Sequence, residues 1–178
     1  MRAVTTYLRA RDAERFPALI KMTESVELFP DIEREIERII NKYGEVKDTA
    51  SPQLAEIRRS ILSAQSSISK TLNAILRQAQ ASGIVDKEAA PTIREGRLVI
   101  PVSAMNKRKI QGIIHDESAT GKTAFVEPTA VVEVNNRLRE LENEERREII
   151  RILVEFTNLV RPYYEAIAQS VYFLAEID

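Results

Sequence analysis

The chain has 178 residues, 44% apolar and 30% charged, with a net charge of −1 and no cysteine. That length suits one domain or a domain with an appendage, and the apolar share suffices for a modest core. Near-neutral charge limits any grip on nucleic acid to a local patch. Missing cysteine removes disulfides and thiolate metal sites, and with no secretory signal and no run near the roughly 18 apolar residues of a span, a cytoplasmic protein without membrane contact is expected.

Residues 1–50 are predicted to be a core part built of short helices. The clearest is "FPDIEREIERIINKYG", where Asp31 is placed to cap the start. Ile32, Ile36, Ile39 and Ile40 share one face, and Gly44 is placed to end the helix. Residues 51–90 carry a stronger pattern. Ser51 is a good N-cap and Pro52 suits the first helical position. Leu54, Ile57, Ile61, Ala64, Ile68, Leu72, Ile75 and Ala79 then step by three and four, a heptad-like seam that Gly83 closes. At about 1.5 Å per residue, this helix would reach roughly 43 Å.

In residues 91–128 the period changes. "EGRLVIPV" is short and β-branched, and "GIIHDESATGKTAFVEP" (Gly112 to Pro128) follows. The second stretch contains Gly121-Lys122-Thr123, which is how a phosphate-binding loop ends. Such a loop needs a glycine five residues before its Gly-Lys pair, and that position is Asp116. A carboxylate there would repel phosphate, and "AFVEP" reads as strand where a helix should open. The stretch is therefore predicted to be a hairpin turning around Ser118 to Lys122, with no ATP site. His115, the only histidine, is expected to be hydrogen-bonded locally in that hairpin, because it lacks partners at the spacing of a metal site or a catalytic triad.

Residues 129–178 read as a second long helix and a return to the core. Apolar positions recur at Val131, Val134, Leu138, Leu141, Ile149, Leu153, Phe156 and Val160. Nine of the twelve residues from Arg137 to Glu148 are charged, which predicts a solvated stretch. Pro162 should break the rod near Arg161. The ending "LAEID" carries no C-cap, so a longer protein is expected. The predicted fold class is mainly α: long antiparallel helices, short helices at one end and a small β element at the other.

"GEVKDTASPQLAEIRRSI", "TIREGRLVIPV", "GIIHDESATGKTAFVEP" and "VVEVNNRLRELENEE" together resemble the MutS-like family of DNA-transacting ATPases. The likeness is greatest to the bacterial second-type paralogue, which lacks the mismatch-reading domain and usually ends in a small Smr nuclease domain. The resemblance implies the core and lever region with its reduced clamp-like β element. It also implies a parent that uses ATP and magnesium and forms a homodimer. The partners it implies are DNA, including branched DNA, ribosomal RNA or the ribosome, and the parent's own ATPase domain. No catalytic, cofactor or metal residue is expected in this chain, since both the ATPase motifs and the nuclease domain are missing from it. Nucleic-acid contact is expected at Arg94, Arg97, Lys107, Arg108 and Lys109, a segment in which five cations face Glu95 alone, and at Lys122 in the adjoining turn. No aromatic residue interleaves these cations, which speaks against base stacking. The alternative is a free-standing helical scaffold that tethers proteins, which would account for the heptads but leave the β element without a role.

Overall fold

The computed structural model describes residues 2–11, 14–24 and 26–177. They fall into two compact units, residues 51–148 and residues 1–50 with 149–178.

The 51–148 unit is built on helix α4 (Pro52–Ala81) and the first part of helix α5 (Thr129–Val160). (Helices α1 to α3 precede them in the other unit.) As expected, Ser51 caps α4: its hydroxyl accepts from the Leu54 amide at 2.9 Å, and Pro52 occupies the first turn. A Schellman closure ends the helix. The Ile84 amide bonds the Ala79 carbonyl and the Gly83 amide bonds that of Gln80, with Gly83 at φ +69°, a conformation glycine adopts without steric cost.

The predicted seam is buried at Leu54, Ile57, Ile61, Ile68, Leu72 and Ala79, with Ala64 and Ile75 partly covered and Leu76 added to it. Val131, Leu138 and Leu141 of α5 join the same cluster. Two polar contacts set the register. Ser51 bonds Glu148 at 2.6 Å and Arg58 bonds Glu145 at 2.7 Å, so α4 and this part of α5 run antiparallel. Each fully buried Leu or Ile contributes about 1.5–3 kcal/mol.

Between the helices lies an antiparallel sheet of four strands, β1 (Thr92–Arg94), β2 (Arg97–Ser103), β3 (Gly112–Glu117) and β4 (Thr123–Pro128), in the order β1-β2-β4-β3. Alternation along β2 places Leu98, Ile100 and Val102 against the helical cluster. The Gly121-Lys122-Thr123 stretch forms the predicted hairpin, with strand β4 following Lys122. At its base the strands approach so closely that a Cβ on Gly112 would sit 2.1 Å from the Glu127 carbonyl oxygen.

In the other unit are α1 (Arg2–Arg9), α2 (Pro17–Glu24), α3 (Pro30–Ile39), the later part of α5 and α6 (Tyr164–Ile177). Leu8, Val26 and Phe173 form a small buried cluster. Pro162 lies in a single 3₁₀ turn, Arg161–Tyr163, that separates α5 from α6 as predicted. Two local expectations fail. Helix α3 starts at Pro30 behind Phe29 and has no side-chain cap. Asp31 lies inside the first turn and pairs with Arg34. The helix stops at Ile39, before Gly44, because the chain turns back to make an antiparallel bridge between Ile40 and Val46, with Gly44 in the turn. Among the described residues, no helix is long and apolar enough to cross a membrane.

Candidate nucleic-acid interface

Strand β2 divides the predicted cations into two groups. Its seven residues span about 20 Å at about 3.3 Å each. Arg94 and Arg97 flank the two-residue turn at its start, where Glu95 and Gly96 both have positive φ, at 50° and 75°. Lys107, Arg108 and Lys109 follow its end. Lys122 joins this second group because the Ala104 amide bonds the Lys122 carbonyl at 2.9 Å.

The first group is engaged within the sheet. The Arg94 guanidinium lies 4.1 Å from the Phe125 ring centroid and 3.6 Å from the Asp116 carboxylate. Arg97, whose side chain is 15% exposed, bonds Glu127 at 2.8 Å and Asn136 at 2.6 Å. In the second group Lys107 pairs with Glu117 at 2.6 Å. Arg108, Lys109 and Lys122 are exposed, and among the described residues they form no ion pair. The Ala104–Lys122 bond and the Lys107–Glu117 pair place Lys107 and Lys122 at the Thr123 end of β4, whereas Lys109 lies two residues before Gln111, whose carbonyl accepts from the Thr129 amide at the other end of that strand.

The loop carrying the second group is braced. It begins with a 3₁₀ turn, Ala104–Asn106. Asn106 Nδ2 donates to the Ile84 carbonyl at 3.0 Å, and the Lys109 amide bonds the Asn106 carbonyl at 2.8 Å. Gln80 fixes the neighbouring loop by donating to the carbonyls of Asp86, Lys87 and Ala89.

Glu127 holds the sheet to α5. It is fully buried and accepts from His115 Nε2 at 2.5 Å, Asn135 Nδ2 at 2.6 Å and Arg97 at 2.8 Å. An ionised carboxylate only accepts, which assigns the proton to Nε2 of His115. His115 therefore bonds within its hairpin, at the irregularity where the β3–β4 register shifts. Burial by itself would raise the Glu127 pKa. The hydrogen bonds from His115, Asn135 and Arg97, with the Arg97 charge, outweigh it and hold the carboxyl below its ordinary value. Four elements meet at this carboxylate, and sequence reasoning missed it. Its one signal was an acidic residue inside the apolar run "AFVEP".

No family model matches the chain. It is 40% identical over 167 residues to the "Endonuclease MutS2" of Symbiobacterium thermophilum, covering 94% of this chain and 21% of that protein. It is 42% identical over 165 residues to that of Pelotomaculum thermopropionicum, covering 93% and 21%. The protein of the same name from a Geobacillus strain is 40% identical over 167 residues. Over nearly its whole length the chain is similar to these MutS2 proteins, and it spans about a fifth of their length.

Proposed function

We propose that this chain is the non-catalytic core-and-lever segment of a MutS2-type protein. In this reading the loop end of its sheet touches the DNA backbone, and the long helices pass that engagement on to an ATPase domain. The nuclease action named for the relatives, and ATP hydrolysis with magnesium, are assigned to other parts of the longer protein, as is homodimerisation.

The observation that carries the reading is the trio Arg108, Lys109 and Lys122. They are exposed, have no ion pair among the described residues, and sit on a braced loop and its neighbouring turn. Exposed, unpaired cations along such a loop suit phosphate contact, which is long-ranged and blind to sequence. Helix α5 starts directly after β4 and continues from the sheet unit into the other, which suits a lever.

The test is fluorescence anisotropy of the full chain with duplex DNA between about 50 and 200 mM salt. Weak binding is expected, with an affinity near 10⁻⁴ M and a strong salt dependence, roughly as for non-specific contact. Replacing Arg108, Lys109 and Lys122 by alanine should lower the slope of log affinity against log salt by roughly two to three, at about 0.9 per phosphate. An unchanged slope refutes the DNA contact and leaves the scaffold reading. Tighter, equally salt-dependent binding to structured ribosomal RNA would reassign the partner.

A further inference from the structure

Ile150 and Val154 on α5 and Tyr164 and Val171 on α6 are large apolar side chains, each 51–71% exposed. They are not scattered. Ile150, Val154, Thr157 and Arg161 follow one another by four, three and four, and Tyr164 and Val171 continue by three and seven. That is the spacing of a coiled-coil seam, and here the seam faces solvent. A different face of the same helices supplies the buried residues Ile152 and Phe173. Val160 and Tyr164, on either side of the 3₁₀ turn, keep α-helical dihedrals, so the chain carries the seam from α5 into α6. Tyr163 in that turn lies edge-on to Phe29, with ring centroids 5.6 Å apart, which braces the turn.

A cleft of about 320 Å³ opens in the middle of the seam, lined by Phe156, Thr157, Val160, Arg161 and Tyr164. The last four stand at i, i+3, i+4 and i+7. That set forms the hole into which a facing helix places one side chain. One wall of the hole is charged. Arg161 is exposed and forms no ion pair among the described residues. A helix laid over the seam takes water from its guanidinium, which is costly unless an acceptor replaces that water. A carboxylate does so with two parallel hydrogen bonds that match the guanidinium fork.

We infer that this seam is the docking site of an amphipathic helix of a partner protein, which sets a large apolar side chain into the cleft and a carboxylate on Arg161. The surface is independent of the DNA contact proposed above. Nucleic acid does not suit it, since residues 149–177 carry Glu155, Glu165 and Glu176 against Arg151 and Arg161. A lipid surface does not suit it either, because helices that lie on membranes are rich in lysine and arginine on their polar face. A second copy in parallel would set Arg161 against its own mate, like charge on like.

The probes are three synthetic peptides of about four heptads, with leucine at the a and d positions except for one central seam residue, which is glutamate, glutamine or lysine. Each is labelled and titrated with the full chain by fluorescence anisotropy, at concentrations where the peptide alone sediments as a monomer. The glutamate peptide is expected to bind at about 10⁻⁵ M and the lysine peptide about tenfold more weakly. Arg161→Glu should reverse that order. Val171→Asp should weaken all three peptides by about tenfold or more. Leu62→Asp, at a residue 65% exposed in the other unit, should bind them as the wild-type chain does. Because these side chains are exposed, no variant should change the melting temperature.

A wild-type chain that binds none of the peptides overturns the site. An unreversed order in Arg161→Glu overturns the charge match that defines the partner. Equal weakening in Leu62→Asp and Val171→Asp also overturns the site, since binding is then not confined to the seam. If the chain alone sediments as a dimer that Val171→Asp dissociates, the occupant is a second copy and the partner helix is overturned.

Discussion

Replacing Glu127 by alanine removes the acceptor shared by β2, β3 and α5. Three hydrogen bonds at 2.5, 2.6 and 2.8 Å are lost, and Arg97 keeps only Asn136 with its charge largely out of water. Hydrogen bonds to charged groups contribute about 1.5–3 kcal/mol each but do not add within one network. Breaking one side of a buried ion pair costs about 3–5 kcal/mol, and that range is the expected loss. For a chain of this size 1 kcal/mol is about 2–4 °C, so the melting temperature should fall by roughly 10–15 °C.

Amide hydrogen exchange of β2 to β4 reads the loss in the unit where it occurs, which a whole-chain melt of two units does not. The Arg97→Leu, Glu127→Ala double variant should lose clearly less than the sum of the two single losses, because no stranded charge remains. There is also a pH signature. The Glu127 pKa is lowered in the folded state, so its stabilisation is present above the unfolded value, about 4.3, and fades as pH falls through the folded value. Exchange protection of the wild-type sheet should therefore drop in acid below that window, and in Glu127→Ala this component should be absent. A single-variant loss under about 0.5 kcal/mol, or strict additivity in the cycle, refutes the reasoning.

Other outcomes follow from the same packing. Replacing Ile68, which is fully buried, by aspartate should cost several kcal/mol in urea unfolding, since it strands a charge in apolar packing. Glu144→Ala, at a long contact with Arg137, should cost no more than about 0.5 kcal/mol. Ser51→Ala removes both the cap of α4 and the donor to buried Glu148, so it should lose about 2 kcal/mol, the upper end for a cap. Arg94→Ala, read by the same salt titration of DNA binding, should change the slope by less than about one.

What could be read from the sequence was what is local. The Ser51-Pro52 start, the seam of α4, the β3–β4 hairpin and the break at Pro162 each depend on residues within a turn or two of one another. The charged run from Arg137 to Glu148 shows where that reading stops. Its composition predicts solvent, yet Glu148 is only 4% exposed and Leu138 and Leu141 are buried. The partner that makes Glu148 tolerable is Ser51, 97 positions away. Glu127 is the same case, with donors 30, 12 and 8 positions off. Ile36 errs in the other direction: it lies on the apolar face of α3 and is still 41% exposed, because periodicity shows which side of a helix is apolar and not whether anything covers it.

The cations carry that distinction into function. Counted along the chain, Arg94, Arg97, Lys107, Arg108, Lys109 and Lys122 weigh alike. In the fold, Arg97 and Lys107 sit 2.8 and 2.6 Å from carboxylates, and such pairs are nearly neutral from a distance. Arg94 lies over Phe125 with the Asp116 carboxylate 3.6 Å away, so its charge too is partly offset. Arg108, Lys109 and Lys122 are the exposed ones with no ion pair among the described residues, spread from the Lys122 turn along the loop toward Pro128. The same accounting explains how a chain of net charge −1 can offer a DNA contact at all: the negative charge is spread over solvated helices, while three exposed positives without an ion pair lie along one braced loop and the turn bonded to its start.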